Sequence, residues 1–259
     1  MSALYVYGVV RPGHPLPAGA RGVGDPPARL RVVGDGALAA VVSKAPPDLL
    51  ARRRDLVAHQ ETLLALAADG PVVPMRFGVV APDRATLVDR LAASLDTHLR
   101  ALERLDGRLE MNVKVFPVEA ALAGLLRADA TLRSLREQAR RRPGYETSVR
   151  LGEAATDALR RLATTAAAPV LRALGAFAEA VSPGPEVPGC VGNTSFLVPR
   201  AAVADFGAEA ARRTAEVAAR AELRVTGPLP CFSFADTGTA AEAAPAPAGP
   251  PPATLAGRS

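Results

Sequence analysis

The sequence predicts an α+β protein of two domains followed by a low-complexity tail. Three observations carry that prediction. At 259 residues the chain has room for two units of roughly 100–150 residues each. Short β-branched or aromatic runs alternate with much longer stretches of helical periodicity, the signature of a mixed architecture. From residue 236 onward the large apolar side chains all but disappear. The expected boundaries are 1–108, 109–235 and 236–259.

Leu4–Val10, LYVYGVV, reads as a strand closed by Arg11-Pro12-Gly13. Residues 11–28 are rich in Pro and Gly and read as a loop. Leu30–Val33 and Ala37–Ser43 flank Gly34-Asp35-Gly36, a hairpin signal. Asp48 is placed to cap a helix running to about Ala68. Its pairs Leu49/Leu50, Leu56/Val57 and Leu63/Leu64 recur at heptad spacing and predict one buried stripe. Val72–Val80 reads as the next strand. A helix started by Asp83 follows, with Leu87, Leu91, Leu95, Leu102 and Leu105 on one face. The first unit is therefore a small sheet with two packed helices.

The second unit opens with a strand at Met111–Phe116, closed by Pro117. Helices follow at about 118–142 and 146–181, parted by Pro143-Gly144, and Pro169 predicts a kink in the second. Thr194–Val198 reads as a strand after the Ser182–Gly192 loop, and Ala201–Ala221 as a helix. Leu223–Thr226 and Cys231–Phe234 form the closing strand region, with Phe232 and Phe234 on one face. The order strand, helices, strand, helix, strand resembles an elaborated, modified ferredoxin-like unit with a long helical hairpin. Residues 236–259 are expected to be disordered, since Ala, Pro, Gly and Thr bury too little surface to offset the entropy of ordering.

Composition narrows the function. Apolar residues make up 49% and aromatics 4%, with no Trp, so the cores are aliphatic. The net charge is +5, but 26 acidic residues are interspersed with the 31 basic ones, as on ordinary solvated surfaces. The arginine clusters at 52–54, 140–142, 160–161 and 212–213 fall on predicted helices and lack interleaved aromatics. They do not read as a nucleic-acid surface. Two cysteines, Cys190 and Cys231, make no disulfide framework. No leader-like segment and no apolar run of membrane-spanning length is seen, so a cytoplasmic location without membrane insertion is expected.

No catalytic constellation stands out. His14, His59 and His98 pair with no other His or Cys at metal-ligand spacing. Phosphate-loop, dinucleotide and nucleophile-elbow motifs do not occur. Glu110 reads as a surface or capping group, and Ser195 has no base near it in sequence. No catalytic residue, cofactor or metal is therefore expected.

Two segments resist a purely structural reading. Pro74-Met75-Arg76-Phe77-Gly78 sets an arginine inside a buried-looking strand. Arg76 must either find buried acceptors or point outward, at a partner or at His59 and Glu61. Pro74 suggests an edge or a bulge. The second segment is Thr226-Gly227-Pro228-Leu229-Pro230-Cys231-Phe232-Ser233-Phe234, where two prolines remove two N–H donors.

Taken in order, the LYVYGVV strand, the helix bearing His59, PVVPMRFG with its Asp-started helix, EMNVKVFP and TGPLPCFSF resemble the GvpF/GvpL gas vesicle protein family. The likeness runs from about residue 3 to 235. The family's closing segment usually carries an aromatic where Leu229 stands and a second proline where Cys231 stands. Phe232 keeps the later aromatic. The resemblance implies a two-domain fold with a modified ferredoxin-like second domain. It also implies a minor structural or assembly component of gas vesicles, not an enzyme. The implied partners are the small hydrophobic major shell protein and other accessory proteins. His59, Pro74, Arg76, Phe77, Gly78, Gly227, Pro228, Phe232 and Phe234 become the candidate signature or interaction residues. The alternative is a ferredoxin-like small-molecule-binding or enzymatic module, which needs a polar pocket near Arg76, His59 or the Ser182–Gly192 loop.

Overall fold

The computed structural model describes residues 3–235. The expected disorder of residues 236–259 falls outside them. β1 (Leu4–Val10) is buried along its whole length because it lies inside the first sheet with helices on both faces. β2 (Arg31–Asp35) and β3 (Leu38–Lys44) form the predicted hairpin, and Gly36 takes a φ of 76° at its turn. The sheet order is β2-β3-β1-β4, where β4 is Val73–Pro74. β5 (Val80–Ala81) pairs with the other end of β1, and every pairing is antiparallel.

α1 (Arg53–Asp69) covers one face of this sheet. Its Leu63 and Leu66 pack with Tyr5, Tyr7, Val10, Val41 and Val72. α2 (Arg84–Ala93) and α3 (Leu95–Leu105) cover the other, where Leu87, Leu91 and Leu102 meet Leu4, Val6, Ala40 and Val42. At Gly8 the chain runs so close to Val72 and Val73 that a Cβ would lie 2.7 Å from Val72 Cγ2.

The second sheet runs β7-β8-β6-β9, again antiparallel throughout. Its strands are β6 (Arg108–Pro117), β7 (Ala180–Pro183), β8 (Gly192–Pro199) and β9 (Ala221–Leu229). Between β6 and β7 lie α4 (Leu122–Ala128), α5 (Ala130–Arg141) and the long α6 (Tyr145–Gly175), while α7 (Val203–Val217) joins β8 to β9. This is the ferredoxin-like order with a helical hairpin inserted. α6 and α7 pack on one face, around Met111, Val113, Val115, Phe196 and Phe206.

Several expectations need correction. α1 begins at Arg53, not Asp48, and no side chain caps it. The Asp55 carboxylate in its first turn instead accepts from the Gly24 N–H at 2.9 Å, tying the helix start to the preceding loop. The single helix expected after Asp83 breaks at Ser94 (φ −114°, ψ 21°), although Asp83 does cap it through the Thr86 N–H. The helix expected at 118–142 divides at Asp129, whose carboxylate caps α5 through the Thr131 and Leu132 N–H groups. The helix expected to reach residue 181 stops at Gly175. Ala180–Pro183 is a strand, because Val181 and Ser182 find ladder partners on β8 that sequence periodicity does not reveal. Three helices pack on the first sheet, not two.

The largest correction concerns Val72–Val80. Only Val73–Pro74 and Val80–Ala81 are strand. Pro74 has no N–H to extend the ladder, and Gly78 turns the chain at a φ of 94°. Residues 75–79 form a loop whose ends stay tied to β1, the Met75 N–H donating to the Tyr7 carbonyl and the Val6 N–H to the Val79 carbonyl. Cys231–Phe234 is not a strand either: Phe232–Phe234 is a 3₁₀ turn. Phe232 is therefore exposed and Phe234 buried, not paired on one face.

Candidate functional site

The loop 75–79 is fixed from beneath by a buried polar relay. The His59 Nε2 lies 2.9 Å from the Met75 carbonyl oxygen, which only accepts, so Nε2 carries the proton. Nδ1 is then an acceptor and takes the Tyr5 hydroxyl proton at 2.8 Å. The Tyr5 oxygen in turn accepts from the Gly78 N–H at 3.4 Å. One histidine, through one tyrosine, thus adds side-chain bonds at Met75 and Gly78 to the backbone bonds that join this loop to β1. Burial pushes the Tyr5 hydroxyl pKa up, which keeps its proton in place for His59.

Aromatic packing surrounds this relay. Phe77 meets Tyr5 and His59 edge-on, each at a centroid distance of 5.8 Å, and Tyr7 stacks on His59 at 5.6 Å. The Tyr7 oxygen accepts from the Val23 N–H at 2.7 Å, which ties down the Pro/Gly-rich loop before β2. Met75 and Phe77 pack inward, while Arg76 between them is exposed. The outward alternative for Arg76 is the observed one, and no buried guanidinium exists at this position. Pro74 sits on β4 opposite Gly8, at the sheet's edge.

The closing segment forms a separate cluster where the two sheets meet. Phe234 packs with Leu105 of α3, Leu197 of β8 and Cys231. The Arg104 guanidinium donates to the Phe234 carbonyl. Arg200 donates to the Ala67 carbonyl across the same seam. Gly227 (φ 151°) passes so close to β6 that a Cβ would meet Met111 Sδ at 2.5 Å, and Pro228 beside it is exposed.

Glu110 is not a surface group. It is 4% exposed, and its carboxylate accepts from the Ser233 N–H at 2.8 Å and the Ser233 hydroxyl at 2.7 Å. That hydroxyl has one proton, so the Ser195 hydroxyl, 3.1 Å away, donates to it and accepts in turn from Asn112 Nδ2. Lys114 donates to the Asn112 side-chain amide oxygen, Oδ1, at 3.0 Å. A polarised chain therefore runs from a cation to a carboxylate and straps residue 233 to the second sheet. Burial, followed by the nearby Glu110 charge, pushes the Cys231 thiol up to about 12, so it stays protonated.

Sequence reading found His59 and the two signature segments but missed Tyr5, Tyr7, Glu110 and Ser233. The available signal was the pair of tyrosines two residues apart in β1, which had to share a face. The structure brings His59, Phe77 and Gly78 together and leaves Phe232, Phe234, Gly227 and Pro228 in the other cluster. The loop 183–193 borders an open depression of about 710 Å³ with Arg160. Two of its side chains are engaged locally: Asn193 Nδ2 donates to the Pro185 carbonyl, and Cys190 Sγ to that of Gly192. Among the described residues no group of three His, Cys, Asp or Glu is arranged to hold a metal ion, and no helix is long and apolar enough to cross a membrane.

Two buried histidines set an acid response. Desolvation lowers the pKa of both His59 and His98 below the ordinary 6.5, outweighing their bonds to the Met75 and Ser94 carbonyls. As the pH falls through 6.5, the unfolded chain takes up protons that the folded chain refuses. Stability therefore decreases with acidification until the lower native pKa values are reached. The slope reaches about 1.4 kcal/mol per pH unit for each histidine. Urea unfolding at pH 7.5, 6.5 and 5.5 is expected to show this loss. His98→Gln should flatten it, and a pH-independent midpoint would contradict it.

The family described as "Gas vesicle synthesis protein GvpL/GvpF" matches residues 3–236. Gas vesicle protein F of Streptomyces sp. (strain CB03234) is 41% identical over 236 residues, covering 90% of this chain and 99% of that protein. Gas vesicle protein L of the same strain is 39% identical over 126 residues, 43% of this chain and 47% of that one. The crystal structure of GvpF from Anabaena sp. PCC7120 superposes with a TM-score of 0.73 at 24% identity, covering 91% of this chain and 98% of that one. GvpF from Microcystis aeruginosa gives 0.70 at 21%, covering 91% and 99%. These two structures share the fold. The ordered motifs, the two-sheet architecture and a match across the described chain lead to one conclusion: the chain belongs to the GvpL/GvpF family of gas vesicle synthesis proteins.

Proposed function

We propose that this chain is a non-catalytic assembly protein of gas vesicles. In this reading it works in the cytoplasm and at the growing vesicle, engaging the small hydrophobic major shell protein and other accessory proteins during nucleation or growth. The observation that carries it is the presentation of Arg76. An exposed arginine stands on a loop whose Met75 carbonyl and Gly78 amide are both held by the His59–Tyr5 relay. A side chain displayed from so fixed a backbone loses little conformational freedom of the main chain on binding, as a recognition anchor requires. Leu56 and Val57 stand exposed on α1 in the turn before His59 and add an apolar component to this part of the molecule.

The test separates folding from assembly. Arg76→Ala is expected to leave the unfolding free energy, read from urea unfolding, within about 0.5 kcal/mol of the parent, as for other exposed positions. It should reduce co-purification with the shell protein and lower vesicle yield in a complemented deletion strain. Full association and normal vesicles with the variant would overturn the anchor role. Normal vesicles in the deletion strain itself would overturn the assembly function.

A further inference from the structure

The outer edge of the second sheet carries information that the vesicle role does not use. β9 pairs with β6 on one side, and its other side pairs with no strand among the described residues. Such an edge presents a row of unpaired N–H and C=O groups, which natural sheets usually blunt with proline, shortness or cover. The opposite edge is blunted in that way: β7 has four residues and ends in Pro183. β9 also carries a proline, Pro228, near its end, but the longer stretch Ala221–Thr226 ahead of it has none, and Val225 is 37% exposed there.

We propose that this edge pairs with the same edge of a second copy of this chain, antiparallel and centred on Leu223. A two-fold axis perpendicular to the sheet keeps each face of one copy continuous with the same face of the other. Residues directly opposite one another must then be an even number apart, which restricts the axis to whole-residue centres. Centring on Glu222 or Arg224 sets like charges face to face. Centring on Leu223 sets Glu222 opposite the second copy's Arg224, twice by symmetry, and Ala221 opposite its Val225. The exposed valine is thereby covered on the helix-packed face.

The charge arrangement within one copy is incomplete in the matching sense. Arg224 lies directly opposite Lys114 across the β6–β9 ladder, a like-charge pair that costs stability. Arg224 also stacks over the Phe116 ring at 4.2 Å and bonds to Glu222 at 2.7 Å, on its own strand. The second copy brings a further carboxylate to this basic pair and joins the two four-stranded sheets into one of eight.

Sedimentation velocity of the full chain across a concentration series reads the equilibrium directly, with no vesicle component present. The pairing is therefore tested independently of the assembly function. A concentration-dependent dimer is expected. Glu222→Arg and Arg224→Glu should each weaken it by about tenfold or more, because each variant sets two like-charge pairs across the axis. The double reversal E222R/R224E should restore it, since the same pairs re-form with inverted polarity. Hydrogen exchange gives a second reading on the unaltered chain: those amides of residues 221–225 that face away from β6 should gain protection as concentration rises. A monomer at every concentration, a dimer indifferent to the single reversals, or a double variant as weak as the singles would overturn the proposal. A strand from a different protein occupying this edge would leave the chain monomeric alone and would overturn it equally.

Discussion

His59→Ala lowers the unfolding free energy by about 3–5 kcal/mol, read as a shift of the urea midpoint at pH 7.5. Part of this is the cavity left when a buried ring is removed from among Tyr5, Tyr7 and Phe77. The remainder is unmade hydrogen bonding: the Met75 carbonyl loses its donor and the Tyr5 hydroxyl its acceptor, at about 1–3 kcal/mol for each group stranded away from water. Tyr5→Phe separates the two contributions. It keeps the ring packing and deletes the hydroxyl, so about 1–2 kcal/mol is expected. A loss below about 1 kcal/mol for His59→Ala would show that the relay does not hold the loop. Fast exchange of the Gly78 amide in His59→Ala, on an otherwise protected first sheet, would show local release of the loop.

Phe234→Ala is expected to cost about 3–5 kcal/mol, the range for truncating a buried aromatic. Phe234 is the wedge between Leu105 on α3 and Leu197 on β8, so the loss falls on the seam and not on one core. Its neighbour supplies the control. Phe232 is exposed, and Phe232→Ala should stay within about 0.5 kcal/mol of the parent. Two phenylalanines two residues apart with nearly equal costs would restore the strand geometry that the 3₁₀ turn replaces.

The sequence made the architecture legible wherever hydrophobic periodicity decides structure. β1, the β2–β3 hairpin, the ferredoxin-like order and the interruption at Pro143-Gly144 follow from local pattern, whereas the heptad stripe expected on α1 does not hold: Leu50, Leu56 and Val57 are exposed, and the helix buries Asp55, His59, Thr62, Leu63 and Leu66 instead. Elements that depend on distant partners were not legible. β7 is strand because β8 lies beside it, and residues 180–183 carry no alternation strong enough to say so. The 75–79 loop was misread for a related reason. Pro74 and Gly78 were visible, but the apolar run around them looks continuous until Tyr5 and His59 show what Met75 and Gly78 are bonded to. Glu110 was misread because a carboxylate at a strand start is usually solvated. Only its pairing with Ser233, 123 positions away, accounts for its burial.

The strap at residues 231–235 also bears on how the molecule is made. The strands of both sheets are synthesised before this stretch, since they all lie upstream of it. The bolt between them is then the last described part of the chain to be synthesised. A nascent chain short of residue 231 would leave Leu105 and Leu197 without Phe234 over them, with only contacts such as that of Arg200 to the Ala67 carbonyl to bridge the seam. Arrival of Ser233 and Phe234 adds the bonds to Glu110 and the apolar wedge to that seam. The seam is thereby finished by the last described residues, and a copy cut before residue 231 would present it without its wedge.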